Sequence, residues 1–376
     1  MQIAVDGLLL TGNFTGVAKV ILGQMAALLN HKFSFDIDFI FIVPQDTDIY
    51  SLLGRRDFKV IYAPFNGCKK FKRVVWQQFK MGKLLNEMGV EILYSPGYIS
   101  SYTFKSIKVT YIHDTIALSH PNLCTAHNAF SYQILLRMTA LISDFIAVPS
   151  ESSKKDVRRY LHARQDKIGV VPLAPTTPDL KYRPRSESRY IIAVSAIEPK
   201  KNFANLIRWY NYWREEGGID HKLYIVGNLA WKYDSVIYQY NNSKYKNDIM
   251  MLGYQPSLEV AKLISGADLL VMPSIYEGFG LPVLEAMKSE TPVVSSDQGS
   301  LPELVEGAGI ALPLKDSIWQ VAIPVLLSDK RRLKQMSRDG LKKVQNYTWE
   351  RIADDLYDIF AYAYKKKHVK KDKNHL

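Results

Sequence analysis

The chain has 376 residues, long enough for two domains that each bury a full core. Its 47% apolar and 23% charged residues exclude a disordered or fibrous chain, and no apolar run approaches the roughly twenty residues that a membrane-spanning helix needs. Its 49 lysines and arginines against 37 acids leave a formal charge of +12, which invites an anionic partner: nucleic acid, a membrane surface or a phosphorylated substrate.

In chain order, the start MQIAVDGLLL lacks the basic region of a signal peptide and reads as a first strand, Gln2–Val5. Further short β-rich runs follow at Ile37–Val43, Phe58–Tyr62, Ile92–Ser95, Ser106–Ile112, Phe145–Pro149 and Lys167–Val171. Helical patterns intervene at Val17–Asn30, Ser131–Ile142 and Ser152–Tyr160, the last capped by Ser150 with its lysines on the surface. Pro172–Pro184 holds four prolines without periodicity and reads as a linker. The theme then repeats with strands at Tyr190–Val194, Lys222–Val226, Ile249–Leu252, Asp268–Met272 and Pro292–Ser295, and a helical pattern closes the chain from Trp349 to Tyr364. Such alternation predicts two doubly wound parallel α/β domains, over residues 1–175 and 176–350. Ligands of doubly wound sheets bind beyond the carboxyl ends of the strands, so two facing domains imply a central cleft. The last helix, within 351–376, is expected to cross back to the first domain.

The two cysteines, Cys68 and Cys124, have neither disulfide-framework nor zinc spacing and suit a reducing, cytosolic setting. Positive charge concentrates in two places. The tail Lys365–Lys373 reads as a solvated, frayed end. Lys69–Lys83 (KKFKRVVWQQFKMGK) interleaves basic and aromatic residues at helical spacing. It is either an interfacial helix on an anionic membrane or, in the reading preferred here, a surface helix that packs Phe71, Val75 and Phe79 inward. Nucleic acid is not expected, because no recognised module accompanies the charge.

Five strand ends carry candidate chemistry. Thr11–Val17 (TGNFTGV) is a tight turn or a phosphate cradle through Gly16. His113 stands beside Asp114, whose carboxylate could fix the imidazole tautomer. Glu198-Pro-Lys-Lys-Asn202 puts Lys200 and Lys201 at a helix entry, where cations suit a diphosphate or merely face solvent. Ser274–Met287 (SIYEGFGLPVLEAM) joins a buried strand to a helix N-terminus through a Gly-Phe-Gly loop. Its Glu277 and Glu285 can accept from sugar hydroxyls, Glu285 bridging two vicinal ones such as those of a ribose. The bland alternative, acids that only complement a helix dipole, fits one glutamate better than the whole string. Ser300-Leu-Pro-Glu303 follows the strand PVVSS.

Glu-Gly-Phe-Gly-Leu-Pro with a second glutamate eight positions on resembles the signature of the retaining glycosyltransferases of family four. That resemblance implies the GT-B fold and transfer of a hexose from a nucleotide-sugar donor, with no metal and no cofactor. The implied acceptor is a glycan or a polyprenyl-diphosphate-linked chain at the inner face of the cell membrane. It places Glu277 near the donor sugar, Glu285 on the nucleotide ribose, and the backbone of Gly278, Phe279, Gly280 and Leu281 on sugar and phosphate. It assigns His113 to the donor sugar and Gly16 to a backbone contact. The variant Glu-Pro-Lys-Lys-Asn is similar to mannosyl- and rhamnosyltransferases of bacterial surface polysaccharides, which leans the donor towards GDP-mannose. Departures are Ser195 where the family tends to have glycine, Lys200 in place of arginine, and Glu290 in place of glycine. Glu290 implies that its turn takes another conformation or brings an acid near the site.

Two rivals are carried. A metal-dependent transferase would use Asp-x-Asp, for which Asp36-Ile-Asp38 and Asp46-Thr-Asp48 are available. A non-catalytic basic adaptor would depend on the tail and not on Glu277.

Overall fold

The computed structural model describes residues 1–11, 16–33, 36–67, 69–180 and 189–373, with side chains to 367. Residues 12–15 of the glycine-rich loop, Cys68 and residues 181–184 of the expected linker lie outside the described residues. The chain divides into two units: residues 1–121, 126–173 and 349–376, and residues 122–125 and 174–348.

The first unit is built on a seven-stranded parallel sheet of order β3-β2-β1-β4-β5-β6-β7. Its strands are β1 (Gln2–Asp6), β2 (Asp38–Pro44), β3 (Lys59–Ala63), β4 (Ile92–Ser95), β5 (Ile107–Tyr111), β6 (Phe145–Val148) and β7 (Ile168–Val170). Their near-continuous Val and Ile content follows from cover on both faces. The register sets Ala4 beside Ile40 and Leu93, Ser95 beside Thr110, Thr110 beside Ile146, and Ile146 beside Ile168, so these residues share one face. On that face pack Met81 and Leu85, then Leu136 and Ala140 of the helix Ala126–Ile142, then Val157 and Leu161 of the helix Glu151–Leu161. The opposite face carries Tyr94, whose ring meets Phe360 edge-on at 5.3 Å. Phe360 belongs to the helix Trp349–Lys373, which sits with this unit.

The second unit holds a six-stranded parallel sheet of order β10-β9-β8-β11-β12-β13. Its strands are β8 (Tyr190–Val194), β9 (Lys222–Val226), β10 (Ile249–Gly253), β11 (Leu269–Met272), β12 (Val293–Ser296) and β13 (Ile310–Leu312). One side is filled by Trp209, Trp213 and Trp319, with Trp209 and Trp319 stacked at 4.8 Å. The expected doubly wound α/β class therefore holds in both units, and the strand order reverses between β1 and β4 and again between β8 and β11. Those reversals are where such folds bind ligands.

Two expectations fail. The tail is not frayed at its start, because the helix continues through Lys373 and Lys366 donates to Asp166 at 3.0 Å. Phe71, Val75 and Phe79 do not pack inward; all three are exposed, Phe71 by 81%. The helix there runs as Lys70–Trp76, a π-turn Gln77–Met81, and Gly82–Glu87. The stripe that faces the sheet is instead the one through Gln77, Gln78, Met81 and Leu85, so the stripe of Phe71, Val75 and Phe79 faces out.

Gly82 lets this helix sit flat on the loop after β4, since a Cβ there would stand 2.2 Å from the Phe104 nitrogen. Gly82→Ala should therefore destabilise the protein by about 1–3 kcal/mol, despite alanine's better helix propensity. Urea unfolding measures it, and an unchanged or raised midpoint would contradict the packing.

Candidate functional site

In the second unit the loops after β8, β11 and β12 meet at the sheet's reversal point. Ile275 donates its backbone N–H to the Lys200 carbonyl at 2.7 Å, which ties the first two. Ser300 ties the third: its N–H and hydroxyl donate to the Glu277 carbonyl at 3.1 and 3.2 Å, and the hydroxyl also reaches the Phe279 carbonyl at 2.5 Å. Gly299 sits at φ 60°, and a Cβ there would lie 2.3 Å from the Glu277 carbonyl oxygen, so only glycine permits this approach. Gly280, at φ 114°, turns the chain into the helix Leu281–Lys288, with Pro282 in its first turn.

The centre is a buried ion pair. Lys201 Nζ donates to Glu277 Oε1 at 2.6 Å, and Ser274 Oγ donates to the same oxygen at 2.7 Å. Both bonds fall on Oε1, which leaves Oε2 as an acceptor for a hydroxyl. Burial pushes the Glu277 carboxyl up, but the charges of Lys201 and Lys200 and these two hydrogen bonds outweigh it and hold it below its ordinary value. Its neighbour Glu198, 3.5 Å from the Lys200 ammonium, goes the other way: burial raises it further than Lys200 and Lys201 lower it. The two acids, beside the same two lysines, are thus shifted in opposite directions.

Glu285 is buried on the same helix, and Thr176 donates its hydroxyl to Oε1 at 2.7 Å. Lys288 fastens that segment by donating to the Thr177 carbonyl and pairing with Asp179, both at 2.9 Å. Ser195 donates its N–H to the Val226 carbonyl, and Gly227 comes so close that a Cβ would be 1.9 Å from the Ser195 carbonyl oxygen. Of the candidates, Ser195, Lys200, Lys201, Glu277, Gly278, Phe279, Gly280, Leu281 and Glu285 all lie on these loops and this helix.

Gly16 and His113 belong to the first unit. Gly16 opens the helix Gly16–Asn30, and among the described residues a Cβ there would meet nothing within 4 Å. His113 is buried, and its Nε2 lies 2.8 Å from the Pro96 carbonyl. A carbonyl can only accept, so Nε2 carries the proton and Nδ1 is an acceptor. Burial, against the Pro96 bond and the Asp114 charge, takes the imidazole down to about 4, so it is neutral near pH 7. The tautomer is therefore set by Pro96 and not by Asp114, which accepts from Tyr98 and from the Ile116 N–H.

Sequence reasoning missed four residues. Ser274 and Thr176 carry no signal beyond their hydroxyls. Gly299 is readable only as an isolated glycine before a helix. Asp6 ends β1 in the first unit and is pushed up to about 6, because burial exceeds the help of the Leu8 N–H, Gln77 and Arg73. Glu290 takes φ 54°, the left-handed conformation a glycine would adopt, and its side chain is exposed. The rival acids have local work: Asp46 accepts from the Gly67 N–H at 3.0 Å, and Asp48 caps the helix Ile49–Leu53.

Residues 179–343 match the family model for glycosyl transferases group 1. The chain is similar to O-antigen chain mannosyltransferase B of Escherichia coli, 29% identical over 259 residues, covering 64% of this chain and 67% of that protein. It is 25% identical to O-antigen chain mannosyltransferase RfbU of Salmonella typhimurium over 83% of this chain and 86% of the other. Other relatives match over little more than half of their own lengths, 56% and 53%. Among solved structures it resembles HepE of Anabaena in complex with UDP-glucose, with a TM-score of 0.72 at 17% identity, covering 96% of this chain and all of that one.

Two outcomes test this geometry. Lys201→Met strands a buried carboxylate and should cost about 3–5 kcal/mol at pH 7. The wild-type pair contributes above the ordinary glutamate range and is lost as pH falls through the lowered value, so the cost of the substitution should shrink on acidification. Adding Glu277→Gln should recover most of it. Unfolding midpoints that do not move with pH would refute the pairing. Separately, Glu290→Gly should stabilise the fold by about 1 kcal/mol, through relief of left-handed strain; a loss in thermal unfolding would contradict that.

Proposed function

We propose that this chain, a glycosyltransferase of group 1 on the GT-B fold, moves a hexose from a nucleotide-diphosphate sugar to a surface-polysaccharide acceptor. GDP-mannose is the first donor to test, and the acceptor is a glycan or a polyprenyl-diphosphate-linked chain. Transfer retains the anomeric configuration and needs no metal. The protein works as a peripheral component of an anionic membrane surface.

The observation that carries the reading is the buried Lys201–Glu277 pair where the β8 and β11 loops meet. A departing diphosphate needs fixed positive charge, and Lys200, Lys201 and the N–H groups at Gly278–Leu281 supply it at a helix N-terminus. A sugar that becomes cationic at its anomeric carbon needs a fixed negative neighbour, and Glu277, held ionised, supplies that. Glu285 takes the ribose hydroxyls with the oxygen that Thr176 leaves. His113, neutral with Nδ1 as acceptor, suits a sugar hydroxyl.

A panel of nucleotide sugars scored by thermal shift and by transfer tests this. A donor at about a hundred times its Kd should add about 2.7 kcal/mol of stability. Glu277→Gln should lower kcat by about 10²–10³ with little change in donor binding, whereas Glu285→Gln should chiefly weaken binding. EDTA should leave transfer intact, and NMR of the product should show the donor's anomeric configuration. No response to any donor would sink the proposal, as would loss of transfer in EDTA with recovery on manganese.

A further inference from the structure

We propose that the outer face of one helical layer of the first unit is a membrane-docking surface for anionic lipid. The inference deepens the membrane part of the function just proposed and rests on it.

Three helices share one face of the seven-stranded sheet: the π-interrupted helix of residues 70–87, Ala126–Ile142 and Glu151–Leu161. The first two flank the same loop. Gln77 Nε2 donates to the Ile99 carbonyl at 3.1 Å and Gln78 Nε2 to the Ser100 carbonyl at 2.9 Å, while the Ser100 N–H reaches Thr139 Oγ1 at 3.4 Å. Their outer sides are apolar. On the first helix Phe71, Val75 and Phe79 are exposed, and on the second Phe130, Ile134, Met138 and Leu141, the last by 80%. Spacings of four, four and three place those four on one stripe of a helix. A soluble surface rarely gathers so many large apolar groups.

The charge says what covers them. Residues 69–83 contain six lysines and arginines and residues 126–142 one arginine, and neither segment contains an acid. The third helix adds a basic concavity of about 550 Å³ lined by Lys155, Arg158, Arg159, His162 and Arg164. Phenylalanine and leucine on two acid-free helices, beside lysines and arginines that outnumber the acids of the third helix, match an interface whose acyl boundary is apolar and whose headgroups are negative. A second copy of this chain would bring the same excess of positive charge. Among the described residues no helix is long and apolar enough to cross a membrane, so the contact would lie in the surface plane.

The test is flotation of the full chain with phosphatidylcholine vesicles, with and without phosphatidylglycerol. The wild type should bind only the anionic vesicles, and more weakly as salt rises. Phe79→Asp and Leu141→Asp should each weaken binding by at least about tenfold, and Lys80→Glu with Lys83→Glu should do the same, while Tyr238→Asp in the second unit should not. Donor-induced thermal shift should be unaltered in all of them, so failure here is separable from failure of the transferase reading. Wild-type levels of binding by the aspartate variants, or no wild-type binding to anionic vesicles, would overturn the proposal. So would a dimer that these variants dissociate in sedimentation velocity without any vesicle binding.

Discussion

The second unit depends on one buried charge pair. Taking a carboxylate and an ammonium out of water costs several kcal/mol for each ion, and the attraction repays it only where geometry and further hydrogen bonds are good. Lys201 and Glu277 meet that condition through Ser274 on the carboxylate and Lys200 close by. A hydrophobic pair of similar volume would hold the loops together at less cost. What it would not supply is a negative and a positive charge fixed beside each other at the ends of two neighbouring strands. The rest of the loop architecture follows from keeping that pair in place. Gly299 makes room for the Glu277 carbonyl, Ser300 hydrogen-bonds to it, and Gly280 turns the chain so that the helix begins beside it.

Comparison of the two units shows which electrostatic effect decides. Glu277 and Asp6 are both fully enclosed carboxylates at strand ends, yet one is lowered and the other raised. The difference is the partner. Glu277 accepts directly from an ammonium, with a second cation near, whereas Asp6 is bonded to neutral donors, the Leu8 N–H and Gln77, and feels Arg73 only through space. Neutral hydrogen bonds do not offset complete desolvation; a contacting cation does. His113 obeys the same rule from the other side. One backbone carbonyl and a nearby carboxylate do not compensate its burial, so it stays uncharged.

Much of this was legible in the chain because parallel strands buried on both faces read as continuous apolar runs. The expected Ile92–Ser95, Tyr190–Val194 and Lys222–Val226 match the strands to the residue, and β1 and β6 match to within one. β13 was missed because three half-buried residues carry no pattern. The fourteen residues from Ser274 to Met287 could be read because strand, glycines, proline and glutamates each constrain one another. The inward reading of Phe71, Val75 and Phe79 assumed that an apolar stripe faces the core, whereas the buried side of this helix carries Gln77 and Gln78 beside Met81 and Leu85, polar residues that no apolar pattern marks. Contacts such as Thr176 to Glu285 and His113 to Pro96 join residues distant in sequence, 109 and 17 positions apart, and no local pattern encodes them.

The protonation states bear on how the proposed reaction divides its labour. Two glutamates flanking a glycine loop invite comparison with a general acid and a general base. A general acid must carry a proton near neutral pH, and Glu277 is pushed away from that by the two lysines. A general base needs a carboxylate of ordinary or raised proton affinity, and that of Glu277 is lowered. Glu198 is raised by burial, but the ammonium of Lys200 lies against it. His113 is too weak a base at about 4 to take an alcohol's proton to any large extent. The side chains at hand are therefore suited to binding and to fixed charge rather than to proton transfer. On the proposed reaction, the acceptor hydroxyl would pass its proton to a base that the substrates themselves bring. That base would be the departing diphosphate, whose leaving oxygen gains negative charge as the glycosidic bond breaks while the acceptor oxygen bonds to the anomeric carbon.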